Sequence, residues 1–201
     1  MAGCTVIRDA GETLLCHLRD TMPDLDPESI IAASPGEADD IQDVTLSLYL
    51  YRIAENSHQK NQCIDRIDPN RSSRPQLTLD LYYMLTPHPP EEIPDITERS
   101  FAMHEVLGSV MQALHNHPVI PGPSLKGSLA GSGTELRIIP AASGDEDART
   151  IWPLCSKRPF RPSACYQVTP VIIESVQPIR IQRVTAQKAA PPLRVTRIDG
   201  S

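Results

Sequence analysis

Two alternating segments constrain the fold more than any other feature of this chain. In Val44–Ile53 the apolar residues Val44, Leu46, Leu48 and Leu50 recur at every second position, and Leu77–Leu85 repeats the pattern. A period of two puts successive side chains on opposite faces of a strand, so each segment predicts a strand with one covered face. The polar stretch between them holds Asn56, His58, Lys60, Asn61, Arg66, Asn70 and Arg71. It is too long for a tight hairpin and predicts an extended loop, the kind that carries contacts on a rigid sheet.

Helical stripes supply the cover. Val6, Ile7, Ala10, Leu14, Leu15 and Leu18 predict an amphipathic first helix that stops before Pro23. Phe101, Val106, Leu107, Val110, Met111 and Leu114 predict the longest helix, over 96–114. Ser29–Ala33 reads as a short strand halted by the turn residues Ser34, Pro35 and Gly36, and the acidic residues 37–40 read as a solvated loop. Gly127–Gly133 reads as a flexible connection into an alternating strand over 134–140. Ser143 is placed to cap a short helix running to Leu154, and Ser163–Glu174 reads as a last strand that Pro170 assigns to an edge or a bend. The order predicts an α+β domain, with a mixed or antiparallel sheet carrying helices on one face.

At 201 residues one core is expected. Twenty prolines and only 4% aromatic residues point to rigid surface loops. Charge is unevenly divided. Residues 1–147 hold ten Lys and Arg against 23 Asp and Glu, and residues 148–201 hold nine against two. Such asymmetry fits head-to-tail contact between like subunits, nucleic-acid binding, or a solvated surface without a role. Beyond Glu174 a small repeat appears, Ile179-Arg180-Ile181-Gln182-Arg183-Val184 and Leu193-Arg194-Val195-Thr196-Arg197-Ile198. The expected division is therefore a domain over 1–174 and a basic, proline-containing, strand-like C-terminal arm over 175–201. Ile179, Arg180, Ile181, Arg183, Leu193, Arg194, Val195 and Arg197 are its candidate subunit-interface residues, with a frayed tail as the alternative.

The search for chemistry leads to no catalytic, cofactor or metal assignment. Cys4, Cys16, Cys63, Cys155 and Cys165 are odd in number and widely spaced, which fits neither a disulfide framework nor a zinc site, and buried inert thiols are expected. His115 and His117 stand two apart and so diverge on a helix. The glycine-rich stretch lacks the Gly-Lys-Ser/Thr ending of a phosphate loop. The basic arm lacks the aromatic residues that stack on single strands, so nucleic acid is not an expected partner. Neither a signal-peptide core nor a run of about 20 apolar residues is present, which predicts synthesis in the cytoplasm and no membrane span.

Taken together, an ordered set of segments resembles the end-cap, or tail-terminator, proteins of extracellular contractile injection systems of the antifeeding-prophage and Photorhabdus-virulence-cassette type. The matching pieces are Leu48–Ile53 with Glu55-Asn56 and Lys60-Asn61, Arg74-Pro75 before Leu77–Thr86, and His104–Gly108. They continue with Leu114 and Pro118–Ile120, the pair Ile151-Trp152, and Arg161–Ser163 leading to Tyr166–Val168. The resemblance spans roughly residues 5–174 and implies a fold and an assembly role but no active site. It implies a structural ring, hexameric in form, seated on the last layer of inner tube and sheath at the end away from the baseplate. Its particle would be a phage tail-like one, kept in the cell or released. A baseplate or tail-completion subunit is the alternative reading, and a small Cys/His hydrolase the distant one.

Overall fold

The computed structural model describes residues 3–59, 71–73, 76–90, 92–173 and 178–180. Helix α1 (Val6–Thr21) forms because Val6, Ala10, Leu14 and Leu18 fall on one stripe and are all buried, and it ends at Met22 before Pro23. A 3-10 turn, Pro27–Ser29, capped by Asp26, leads into the short strand β1 (Ile30–Ala32). The predicted stop at Ser34 is instead the start of a one-turn helix, α2 (Pro35–Ala38). Ser34 and Glu37 form a reciprocal capping box there, and Pro35 at the first helical position has no N–H to leave unpaired.

The two alternating segments are β2 (Leu46–Glu55) and β4 (Leu77–Pro87), and between them lies the three-residue strand β3 (Arg71–Ser73). Helix α3 (Ile96–Asn116) opens on Asp95, whose carboxylate accepts from the N–H groups of Thr97 and Glu98 at 2.9 Å. Pro118 follows its end, and β5 (Val119–Ile120), β6 (Leu136–Pro140), α4 (Gly144–Cys155), β7 (Ala164–Ile173) and β8 (Pro178–Arg180) complete the described elements.

Six strands make one sheet in the order β1-β2-β4-β7-β6-β5. Only β1 and β2 are parallel, so the sheet is mixed. Along β4 the period of two sorts residues by face. Leu79, Leu81, Tyr83 and Leu85 join the core with α1 and α3, while Met84 faces Trp152 and Ala148 of α4. The two long helices share one face, as expected of this α+β fold, and the shorter α4 lies on the other. Leu81 is wholly buried, and that burial alone is worth about 1.5–3 kcal/mol.

Several expectations are corrected. Pro170, expected at an edge or a bend, is not at an edge, since β7 runs between β4 and β6. It sits where the β4–β7 register shifts and where pairing with β6 has ended at Thr169. Gly127–Gly133 is not a flexible connection at its start, because Asp9 of α1 accepts from both the N–H and the hydroxyl of Ser128 at 2.8 and 2.5 Å. Ser143 makes no backbone cap, and its hydroxyl donates to Asp147 instead. Phe101 and Met111 stand 55% and 50% exposed, and Phe101 faces about opposite to the buried Val110.

Candidate functional site

The end of the sheet where β4 stops and β2 starts carries the densest set of charged groups. His88 follows Pro87 and precedes Pro89, so rigid backbone on both sides fixes where its ring points. The ring is buried, with Nδ1 2.9 Å from Oδ1 of Asp39 and Nε2 2.9 Å from the hydroxyl of Ser47 in β2. Arg161, just before β7, donates to both oxygens of Asp39 at 2.6 and 3.2 Å. Arg158 approaches the same carboxylate at 3.2 Å from a more exposed position. Asp39 does not lie in a solvated acidic loop, since its side chain is only 3% exposed, turned inward by α2 onto two arginines.

Electrostatics settles the protonation states. Burial works to raise the Asp39 carboxyl, but hydrogen bonds from Arg161 and His88 outweigh it and hold the group below the ordinary carboxylate value. Burial pushes the His88 imidazole down despite the attraction of Asp39. A neutral ring beside an ionised carboxylate carries its proton on Nδ1, because the carboxylate only accepts, and Nε2 then accepts from Ser47.

Ser47, His88 and Asp39 thus stand in the order of a serine-histidine-carboxylate relay. The chemistry of such a relay needs a hydroxyl that a substrate carbonyl can reach, and Ser47 is fully buried. Arg161 and Arg158 hold the carboxylate from the far side. The arrangement ties α2, β2, β4 and the start of β7 together.

A second polar knot secures the opposite end of the sheet. Asn56 donates to Asp80 at 2.9 Å and to Thr169 at 3.3 Å, while its side-chain oxygen accepts from the N–H groups of His58 and Gln59 at 3.0 Å. Thr169 also donates to Asp80 at 2.6 Å. This fixes the root of the polar loop at the point where the register of β7 shifts.

Of the predicted interface residues, Ile179 and Arg180 fall in β8, which pairs antiparallel with β3 through Ile179 opposite Ser72 and Arg180 opposite Arg71. Ile181, Arg183, Leu193, Arg194, Val195 and Arg197 lie outside the described residues, as does Cys63. Cys4 is exposed, not buried, because it precedes the first turn of α1. Cys16, Cys155 and Cys165 are half-buried. His117 ends α3 and offers its carbonyl to His17 at 3.0 Å. Among the described residues no group of three or more His, Cys, Asp or Glu is placed to hold a metal, and no helix is long and apolar enough to cross a membrane. Reading the sequence missed the Asp39–His88–Arg161 set. Its one visible signal was a histidine locked among prolines.

A groove of about 980 Å³ adjoins this network. One wall is α3 from Arg99 to Asn116, and the other is built from residues 21–26 and 38–45. Met22, Ala38, Val44 and Ala113 are its buried apolar lining.

The family model of the Pvc16 N-terminal domain matches residues 9–187. Among solved structures, the chain is similar to the sheath/tube terminator of PVC, an extracellular contractile injection system, determined by cryo-EM in the extended state. That match has a TM-score of 0.55 and 19% identity, covering 94% of this chain and 64% of the other. The tube-terminating cap of the anti-feeding prophage AFP, also from cryo-EM, is similar with a TM-score of 0.50 and 18% identity, covering 90% of this chain and 60% of the other. At these identities the likeness is one of fold, and the chain spans less than two thirds of either protein. No curated protein sequence matches.

Proposed function

This chain belongs to the Pvc16 N-terminal domain family, and from that premise we propose that it is a structural cap subunit closing the baseplate-distal end of a contractile injection particle. The observation that carries this reading is a fold shared with two terminator proteins across nearly the whole chain. Its partners are further copies of itself, in a ring of six, together with the last layer of inner tube and of sheath. It is made in the cytoplasm and acts by assembly, without turnover.

The surface is consistent with this work. Ile96, Phe101 and Met111 of α3 and Leu154 near the end of α4 are large apolar residues left exposed, and in this reading they supply apolar area for contact with neighbouring proteins. The site network supports rigidity, since its buried charges are paired and its serine is closed off. A subunit that halts a polymer has to present one fixed shape to the last layer.

Electron microscopy of particles assembled with and without the chain tests the reading. Omission should leave tubes and sheaths of poorly bounded length with ragged distal ends on intact baseplates. Sharp, uniform ends in its absence would overturn the proposal, and loss of baseplates would move the chain to the baseplate.

A further inference from the structure

The groove beside α3 has an apolar floor and an acidic rim. Asp24, Asp43, Glu92 and Glu105 line it, all are exposed, and none has an ion-pair partner among the described residues. Two arginines also line it, Arg99 bonded to the carbonyl of Ile93 and Arg158 paired with Asp39. From Arg99 to Asn116 the α3 wall is about 25 Å long, the span of roughly seven or eight extended residues. A trough of that length suits a segment of chain.

The sequence contains a segment of complementary chemistry. Residues 193–198, Leu-Arg-Val-Thr-Arg-Ile, carry three apolar side chains and two arginines in six residues. The first copy of this repeat begins in β8 and is paired there with β3 of its own chain. The second lies past the described residues.

We infer that the α3 groove of one subunit receives residues 193–198 of a second copy, with Leu193 and Val195 toward the apolar floor, Arg194 toward the acidic rim, and the long side chain of Arg197 reaching that rim from the edge of the floor. The sheet makes the contact head-to-tail. β7 ends and β4 begins at the same end of the sheet, and β8 follows β7 within five residues, whereas the groove lies beyond the other end of β4, past Pro87. Those ends are separated by the eleven residues of β4, about 35 Å. Residues 181–192 reach about 40 Å only at full stretch, whereas a head-to-tail neighbour presents its groove at the end the arm leaves. Contacts of this kind, repeated with a closing rotation, generate rings.

This contact rests on the proposed ring, but its test uses the isolated full-length chain and no particle. Three subunits are compared by sedimentation at low and at moderate salt: wild type, a groove variant (Asp24→Lys, Glu92→Lys, Glu105→Lys) and an arm variant (Arg194→Glu, Arg197→Glu). Asp43 is left unchanged because its φ of 63° suits Asp better than Lys. Wild type should self-associate more weakly as salt rises, and each variant alone should associate about tenfold or more weakly, with its thermal midpoint unchanged. Mixing the two variants should restore association, because the acidic arm of one then meets the basic groove of the other.

A wild-type chain that stays monomeric, or variants that associate as well as wild type, would overturn the inference. So would restoration only when both sets of changes sit in one chain and not on mixing two, provided that chain is monomeric, since the arm would then lie on its own groove. Failure of any of these leaves the cap reading to be judged separately on particle ends.

Discussion

Asp39 and Arg161 are 122 residues apart in sequence and joined by two hydrogen bonds of 2.6 and 3.2 Å, so the end of α2 and the start of β7 move as one body. Their side chains are 3% and 13% exposed. A pair this deep is more costly to halve than to replace, because the surviving charge is left without its partner.

Asp39→Ala should therefore destabilise the fold by about 3 kcal/mol in urea unfolding. Arg161→Ala should cost less, about 1–2 kcal/mol, because Arg158 and His88 still face the carboxylate. The double variant should be less destabilised than the sum of the two, and strict additivity would show that the pair is not coupled.

The same cluster sets a pH dependence. His88 is held below its ordinary value of 6.5 by burial, so as pH falls the unfolded chain takes up that proton first. Stability from this group is complete above 6.5 and is lost as pH falls toward the folded value. Asp39, held below its ordinary 3.8, adds a loss of the same sign at lower pH. Urea midpoints should fall between about pH 7 and pH 5, and His88→Gln should flatten that fall. His17, also pushed down by burial, preserves part of the slope. An unchanged slope in His88→Gln would mean that the ring does not titrate there.

Gly127 has a φ of +56°, and a side-chain carbon added to it would run into the carboxylate of Asp9. Gly127→Ala should cost about 2 kcal/mol or more, through both the left-handed backbone and the displaced Asp9–Ser128 contact. Ser128→Ala, which keeps the backbone donor to Asp9, should cost about 1 kcal/mol. Thermal unfolding of the two variants gives the comparison.

Thiol labelling should separate the cysteines. Cys4 is exposed, whereas burial pushes the Cys155 thiol up and leaves less thiolate. At mildly alkaline pH a thiol reagent should modify Cys4 about tenfold or more faster than Cys155. Cys4→Ser should change stability by less than about 0.5 kcal/mol, as for other surface positions.

What the sequence made legible was whatever repeats with a period. β2, β4, α1 and α3 were found within a few residues because alternation and the helical stripe are local signals. On α3 the same signal overreached, counting Phe101 and Met111 with Val110 and Leu114. Nine residues are two and a half turns, so Phe101 faces away from Val110 and the strict period excludes it from that stripe. Phe101→Ser should accordingly leave the stability of the isolated subunit within about 0.5 kcal/mol, which urea unfolding would check. The Asp39–His88–Arg161 cluster could not be read because its members come from three distant parts of the chain and none is periodic. Asp39 looked like any solvated acid, and only α2, a single turn long, aims it inward.

The strand order also fixes a sequence of events. β4 lies between β2 and β7, and β7 comes from residues 164–173, long after β4 at 77–87. During synthesis, the β7-facing edge of β4 has no partner until residues 164–173 have left the ribosome, and long-range pairing of this kind closes late. The network that welds the sheet end waits for Arg161 in the same way. A subunit made only as far as β6 therefore lacks the Arg158 side of its groove and its rigid end, and the surfaces those form exist only once β7 has been made.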